Sequence, residues 1–149
     1  MNGRNLQRQH KEWLSDFKVW SQLKHAKKYL FYPNNIGPHL SLDETSLSHG
    51  ELYTIVTNKS AKGKKGAIVA IVAGTSSEVV VNVLEKISIR LRNKVEEITL
   101  DMAGSMNIIA KRCFPNATLV TDRFHVQKLA LEAVQELRIK HRWEAIDAE

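Results

Sequence analysis

Short apolar runs separated by turn-forming residues fill the middle of the chain, and they predict a sheet. Residues 40–43 and 51–57 are the first two expected strands, with His49 and Gly50 turning between them. Residues 66–73 form a nearly continuous apolar run. Such a run is typical of a central strand that is buried on both faces, so we expect a third strand there.

The second half of the chain alternates between helical and strand patterns. Thr75, with Glu78 three residues later, has the form of a capping box and predicts the start of a helix. Residues 105–114 predict a second, short helix that is ended by a proline, and a long helix is expected from about Arg123. The strands expected in this half span residues 95–100 and 118–121.

Connection lengths predict how these strands pair. The first three are joined by short turns and should be antiparallel, whereas the later ones are joined through helices and should run parallel to the first. The expected fold class is therefore α/β, with a mixed five-stranded sheet in the order β-β-β-α-β-α-β-α and helices on both faces.

Residues 4–32 contain neither glycine nor proline and predict a helix before the sheet. Trp13, Phe17 and Trp20 recur at helical spacing, which favours an apolar stripe packed in the core. We expect residues 1–32 to form a basic helical segment and residues 39–149 to form the main domain.

Basic residues are concentrated in two places. The N-terminal segment holds seven Lys or Arg against two acids, and its polar face is either a solvated face or a surface that follows a phosphate backbone. Residues 58–65 form an expected hairpin tip with four lysines and no acid, either a soluble turn or a phosphate contact. If these surfaces bind a phosphate backbone, the residues expected to contact DNA are Arg4, Arg8, Lys11, Lys59, Lys62, Lys64 and Lys65.

Composition narrows the class of protein. The net charge of +6 either attracts polyanions, of which nucleic acid is the commonest, or only keeps the chain soluble. Cys113 is the single cysteine, so an intrachain disulfide is excluded and a reducing compartment is indicated. No apolar run approaches the roughly 20 residues of a membrane span, and no signal peptide is recognisable, so we expect a cytoplasmic protein without a membrane partner.

Three aspartates follow expected strands. Asp43 ends the first, Asp101 the fourth and Asp122 the fifth. If the first and fourth strands are neighbours, Asp43 and Asp101 face each other and provide the oxygen ligands that Mg²⁺ prefers. Two such ions support phosphoryl transfer.

Each aspartate also has a structural interpretation. Asp43 with Glu44 fits an exposed turn, and Asp101 fits a turn or a helix cap. Asp122 fits the N-cap of the last helix, with His125 in the first turn hydrogen-bonded to it. The residues alone leave these alternatives open.

The element order, with acids after strands one and four, resembles the ribonuclease H-like fold. Local sequences extend the likeness to the DDE transposases of bacterial insertion sequences, and they are most similar to the ISL/ISAon type. The segments that carry the resemblance are LDET at 42–45, GELYTIVTNK at 50–59, TLDMA at 99–103, FPNA at 114–117 and DRFHV at 122–126.

The resemblance implies roles for four residues. Asp43 would be the first catalytic acid and Asp101 the second, and both would bind metal. Asp122 and His125 would form the Asp-x-x-His motif that supports the site in this branch. The implied cofactor is Mg²⁺ or Mn²⁺, with two ions in the complete site.

The implied function is DNA transposition in the bacterial cytoplasm. Such enzymes bind terminal inverted repeats, cleave there to free 3′ hydroxyls and join these to target DNA as homo-oligomers. The third acid, a glutamate on a late helix, is expected beyond residue 149, with Glu132 or Glu136 as substitutes in a more compact layout. A site-specific DNA-binding domain is also expected upstream, unless the basic helix of residues 4–32 is its remnant. Because the third acid is expected beyond residue 149, the chain is expected to be partial and catalytically incomplete.

Two other functions remain open. One is a DNA-binding remnant without catalysis, in which the basic helix and the lysine-rich tip provide all contacts. The other is a ribonuclease H-like nuclease outside transposition, which would cut without a preference for element ends.

Overall fold

A computed structural model describes residues 3–48 and 50–148 of the chain. The strands are β1 (Tyr29–Phe31), β2 (His39–Ser48), β3 (Glu51–Asn58), β4 (Ile68–Ala73), β5 (Glu97–Leu100) and β6 (Thr118–Thr121). The α-helices are α1 (Gly3–Gln9), α2 (Ser77–Leu84), α3 (Ile89–Arg92), α4 (Gly104–Cys113) and α5 (Arg123–Asp147).

All six strands form one sheet in the order β1-β4-β3-β2-β5-β6. The neighbours β1/β4, β4/β3 and β3/β2 are antiparallel, while β2/β5 and β5/β6 are parallel. The mixed α/β class is confirmed, but the predicted count of five strands is wrong. The additional strand is β1, which was expected to be helical.

The first strand of the predicted sheet is longer than expected. Strand β2 does not end at Asp43 but continues to Ser48, because its pairing with β3 continues past Asp43↔Ile55 towards the turn. Asp43 therefore lies inside a strand and not in a strand-end turn. Of the predicted turn, Gly50 adopts φ of 80°, and His49 lies outside the described residues.

The core lies on one face of the sheet, where α2 and α4 pack against each other and against the strands. Alternate strand residues such as Leu40, Leu42 and Val56 are buried there. The prediction of helices on both faces is wrong, because no described residue of α5 is buried. Strand β4, which corresponds to the predicted third strand, is likewise not buried on both faces, since its residue Ile68 is 39% exposed.

Residues 4–32 do not form the single predicted helix. A π-helical stretch, His10–Leu14, follows α1, and a 3-10 helix follows at Asp16–Val19. Residues 29–31 pair with β4 instead of continuing the helix, so sheet pairing outweighs local helical preference.

The aromatic residues of this segment are not core residues. Trp13 is 79% exposed, and Phe17 and Trp20 are partly exposed with ring centroids 6.3 Å apart. The prediction that they pack in the core is wrong, because the short helical pieces contribute no buried residue.

Helix α2 begins at Ser77, one residue later than an N-cap at Thr75 predicts. Its N-cap is Ser76, and no side chain caps it, so the reciprocal bonds expected between Thr75 and Glu78 are absent at this helix start. The helix instead draws its stability from Val80, Val81 and Leu84, all of which are buried.

Arg92, at the end of α3, links the residues before α3 to the end of α4. Its Nε donates to the carbonyl of Ile87 at 3.0 Å, and its Nη1 donates to the carbonyl of Cys113 at 2.7 Å. The second bond satisfies a carbonyl that the helix end leaves unpaired. Burial raises the pKa of the Cys113 thiol to about 11, so the thiol is protonated at neutral pH.

Two adjacent isoleucines of α4 test the position of the core. Ile109 is fully buried, whereas Ile108 is 56% exposed. We expect Ile109→Ala to lower the free energy of unfolding by about 2–5 kcal/mol, because it leaves a cavity. Ile108→Ala should change it by less than about 0.5 kcal/mol. Urea unfolding followed by circular dichroism checks both, and equal losses would contradict this one-sided core.

Candidate active site

The pairing of two parallel strands brings Asp43 and Asp101 together. Strands β2 and β5 run side by side, and their last paired residues are Leu42 and Leu100. Asp43 is the next residue of β2, and Asp101 is the first residue after β5, so the register places the two next to each other where β5 ends. Because successive strand residues point to opposite faces, the Asp43 carboxylate lies on the face opposite the buried Leu42, and Asp101 leaves the end of β5 beside it.

Both aspartates also bind nearby backbone. Asp43 Oδ1 accepts a hydrogen bond from the N–H of Glu44 at 2.8 Å, and Asp101 Oδ1 accepts one from the N–H of Met102. Asp43 is exposed, and the side chain of Asp101 is 35% exposed. Each bond runs to the N–H of the next residue, so it holds the carboxylate without burying it.

Asp122 and His125 lie at the end of the next strand. Asp122 is the N-cap of α5, and its Oδ1 accepts a hydrogen bond from the N–H of Phe124 at 2.9 Å. The sequence suggested a hydrogen bond between His125 and Asp122, but the structure does not show one between these two residues. His125 Nδ1 lies 3.4 Å from Asp101 Oδ1 instead, so the motif reaches the site through its histidine.

The contact between His125 and Asp101 follows from the strand order. Leu100 of β5 pairs with Thr121 of β6, so the residues after these two strands emerge side by side. Asp122 then starts α5 and places His125 in its first turn. The sequence did place Asp101 and Asp122 after neighbouring strands, which is a signal that His125 could reach Asp101. The short spacing along the chain instead suggested Asp122 as the partner of His125.

The carboxylate pair fits a hard cation. Mg²⁺ is held in proteins by one or two carboxylates, with water and phosphate completing its shell, and two exposed carboxylates provide this donor set. Among the residues that the structure describes, no group of three or more His, Cys, Asp or Glu is placed to hold a metal ion. The site therefore consists of Asp43 and Asp101, with His125 beside one of them.

The glutamates of α5 lie away from this pair. Glu132 is two turns beyond His125, a rise of about 10 Å along the helix. The Oε1 atom of Glu132 lies 3.9 Å from Lys128 Nζ, and Glu136 is exposed on the same helix. The structure does not bring either glutamate together with Asp43 and Asp101 within the described residues.

The lysines of the β3–β4 loop differ from one another. Lys59 crosses to β5, where its Nζ lies 3.0 Å from Glu97 Oε1 and 2.8 Å from Thr99 Oγ1. Lys59 as a DNA contact therefore stays a prediction, and within the protein its charge is already paired with a carboxylate. The remaining three, Lys62, Lys64 and Lys65, are exposed.

The N-terminal cations are exposed as well. Arg4, Arg8 and Lys11 all lie on the solvent side of the first helical pieces. Lys11 Nζ lies 5.0 Å from the centroid of the Phe17 ring, a cation–π contact. Their role in binding DNA stays a prediction, as does the division of the chain at residues 1–32 and 39–149.

Together these features define an α/β protein that is compatible with the ribonuclease H-like fold and has a pair of carboxylates at adjacent parallel strands. The family model of the ISL3-type DDE transposases, described as "Transposase", matches residues 40–149. The chain belongs to this family. No curated protein sequence matches it significantly.

Family membership establishes the general role. The chain belongs to proteins of DNA transposition, whose activity is of the polynucleotidyl-transferase type and whose partner is DNA. The family generally uses divalent metal ions. Within residues 3–48 and 50–148, no helix combines the length and the apolarity that crossing a membrane requires.

The Lys59–Glu97 pair generates a testable pH dependence. The hydrogen bond from Lys59 holds the pKa of Glu97 below its ordinary value, so the pair stabilises the fold above the unfolded-state pKa of Glu97. That contribution is lost as the pH falls through the lowered pKa. We expect Lys59→Gln to raise the pKa of Glu97 and to destabilise the fold at neutral pH but not in acid.

Carboxyl-detected NMR measures this pKa, and urea unfolding at the two pH values measures the stability difference. Lys64→Gln, which removes the same charge from the same loop, is the control and should leave Glu97 unchanged. A stability loss in Lys59→Gln that persists unchanged in acid would show that it does not come from the ion pair between Lys59 and Glu97.

Proposed function

We propose that this chain carries the metal-dependent centre of a transposase that cleaves DNA at insertion-sequence ends and joins the 3′ ends to target DNA. The observation that supports it is the pairing of β2 with β5, which sets Asp43 beside Asp101 on an uncovered face of the sheet. An uncovered face admits a DNA strand, which a buried pair would not.

Asp43 and Asp101 are proposed as the ligands of Mg²⁺ or Mn²⁺. When bound, such ions lower the pKa of a water or hydroxyl and stabilise the charge that develops on phosphate oxygens. The aspartates contribute two negative charges at fixed positions, because their Oδ1 atoms are already held by the N–H groups of Glu44 and Met102. In cleavage, a water oxygen would bond to phosphorus as the bond to the 3′ oxygen breaks. The water would give its proton to solvent, and the 3′ oxygen would take one from solvent to become the free 3′ hydroxyl.

His125 is proposed as a positioning residue. Its Nδ1 lies 3.4 Å from Asp101 Oδ1, and a proton on that nitrogen would point at the carboxylate and favour one orientation of it. Asp122 acts one step further away, because its cap fixes the first turn of α5 from which His125 extends. The third acid that the family resemblance implies stays a prediction.

Binding of Mn²⁺ tests the carboxylate pair, since the ion broadens NMR signals of nearby residues. We expect joint broadening around Asp43 and Asp101, and an affinity that falls at least about tenfold in Asp43→Asn or Asp101→Asn. Asp16→Asn, which removes an exposed acid from the N-terminal segment, is the matched control. Broadening scattered over surface acids would overturn the proposal.

The same variants separate this proposal from a DNA-binding remnant without catalysis. A metal centre predicts that Mn²⁺ strengthens binding of a DNA duplex to the unmodified chain and not to Asp101→Asn. A remnant predicts that loss of the negative charge leaves DNA binding equal or slightly stronger, with or without the ion.

The contact of His125 generates a second test. His125→Ala should weaken Mn²⁺ binding by about 10- to 100-fold, the usual effect of removing a residue that orients a ligand. His125→Asn, whose amide N–H replaces the Nδ1–H, should restore most of the affinity. Equal affinities in all three proteins would show that His125 does not position Asp101.

A further inference from the structure

Two cavities lie at opposite ends of the edge strand β1. The first has a volume of about 600 Å³ and is lined by Tyr32, Asn35, Lys64, Lys65 and residues 66–68. This volume lies within the range of small-molecule sites, and the lining mixes an aromatic ring, an amide and two cations. Gly66 adopts φ of 91°, a conformation that favours glycine, so the turn carrying Lys64 and Lys65 depends on it.

The second cavity lies at the start of the same strand. It has a volume of about 500 Å³, and its lining includes Lys27, Lys28, Tyr29, Asn82 and Lys86. Residues 28 and 32 flank β1, and four extended residues span about 13 Å. The two cavities are therefore a few nucleotides apart, because one strand of DNA rises about 3.4 Å per nucleotide.

The charge of these cavities is of one sign. Five lysines line the two and no acid does. Within the described part of the chain none of the five forms an ion pair, in contrast to Lys59 in the neighbouring loop. Cations that are left without a carboxylate on the protein are available to bind phosphate.

The two tyrosines are not equivalent. Tyr29 is stacked on His25 with ring centroids 4.2 Å apart, and Lys86 Nζ lies 4.1 Å from the Tyr29 centroid. The Tyr29 ring is thus already packed. Tyr32 has no ring partner among the described residues and is only partly buried, so its ring is available for stacking.

We propose that these seven residues, Tyr32, Asn35, Lys64, Lys65, Lys27, Lys28 and Lys86, form a β1 rim that binds unpaired nucleotides of a DNA strand. One base stacks on Tyr32, and Lys64 and Lys65 bind the adjoining phosphates. Lys27, Lys28 and Lys86 bind phosphates further along. The inference rests on the proposed function only in taking DNA as the ligand, and the rim is separate from the carboxylate pair.

Fluorescence anisotropy of a labelled single-stranded DNA of about ten nucleotides tests the rim, with EDTA present so that the metal centre does not contribute. Tyr32→Leu should weaken binding by about 5- to 150-fold, the usual effect of losing one stacked base, and Tyr32→Phe should bind as the unmodified chain does. Log affinity falls as log salt rises, and Lys64→Gln combined with Lys65→Gln should make this slope less steep by about 1.4, because two phosphate contacts are lost.

The matched control combines Lys94→Gln with Lys111→Gln, two exposed lysines outside both cavities and outside the ion pairs of the described residues. An equal loss in this control would overturn the rim as a defined site and leave only general electrostatic attraction. Unchanged binding in Tyr32→Leu, with a duplex bound as tightly as the single strand, would overturn the recognition of unpaired nucleotides. Preference for an RNA strand over DNA of the same sequence would overturn the assignment to DNA.

Because the assay excludes metal, its outcome is independent of Asp43 and Asp101. Loss of Mn²⁺ binding in the aspartate variants with normal single-strand binding would confirm both sites separately. If Tyr32→Leu fails to fold, the Lys64 and Lys65 variants and their salt slope still decide whether the rim binds phosphate.

Discussion

The register between β2 and β5 is the constraint on which the site depends. Its last pair, Leu42 and Leu100, is 2% and 3% exposed, so the hydrophobic core holds both strands in phase. A slip of one residue would turn the leucines to the uncovered face and bring an aspartate into the core. Since a buried, unpaired carboxylate is very costly, packing of the core also fixes the distance between the two acids along the sheet.

The same reasoning extends to the next strand. Pairing of β5 with β6 places Asp122 beside the end of β5, and capping of α5 by this residue sets where the helix begins. His125 then reaches Asp101 from the first helical turn. Asp122 thus caps the helix and also determines where His125 lies, because the start of a helix determines which side chains face the neighbouring strand.

Sequence patterns predicted those parts of the fold that depend on local repetition. Alternating apolar residues around Leu42 and Leu100 were enough to anticipate the two strands, whereas the meeting of Asp43 with Asp101 was expected only if these strands were neighbours, as their pairing makes them. The N-terminal segment was mistaken for one helix, because its pairing with β4 depends on residues 39 to 43 positions away. The partner of His125 was missed for the same reason, since strand neighbours are set by tertiary pairing and not by spacing along the chain.

Opposite charges are separated across the sheet. Asp43 lies on β2 and Asp101 directly follows β5, whereas Lys27 and Lys28 of the β1 rim come just before the edge strand β1, three strands from β2. At a spacing of about 4.8 Å per strand this is about 14 Å, which exceeds the screening length of roughly 8 Å at physiological salt. The lysines can therefore attract a phosphate backbone without neutralising the carboxylates or repelling a cation held between them. In the loop between β3 and β4, Lys59 is paired with Glu97 of β5, whereas Lys64 and Lys65 of the same loop form no ion pair among the described residues. The unpaired lysines beside the edge strand thus leave the negative charge of the carboxylate pair intact.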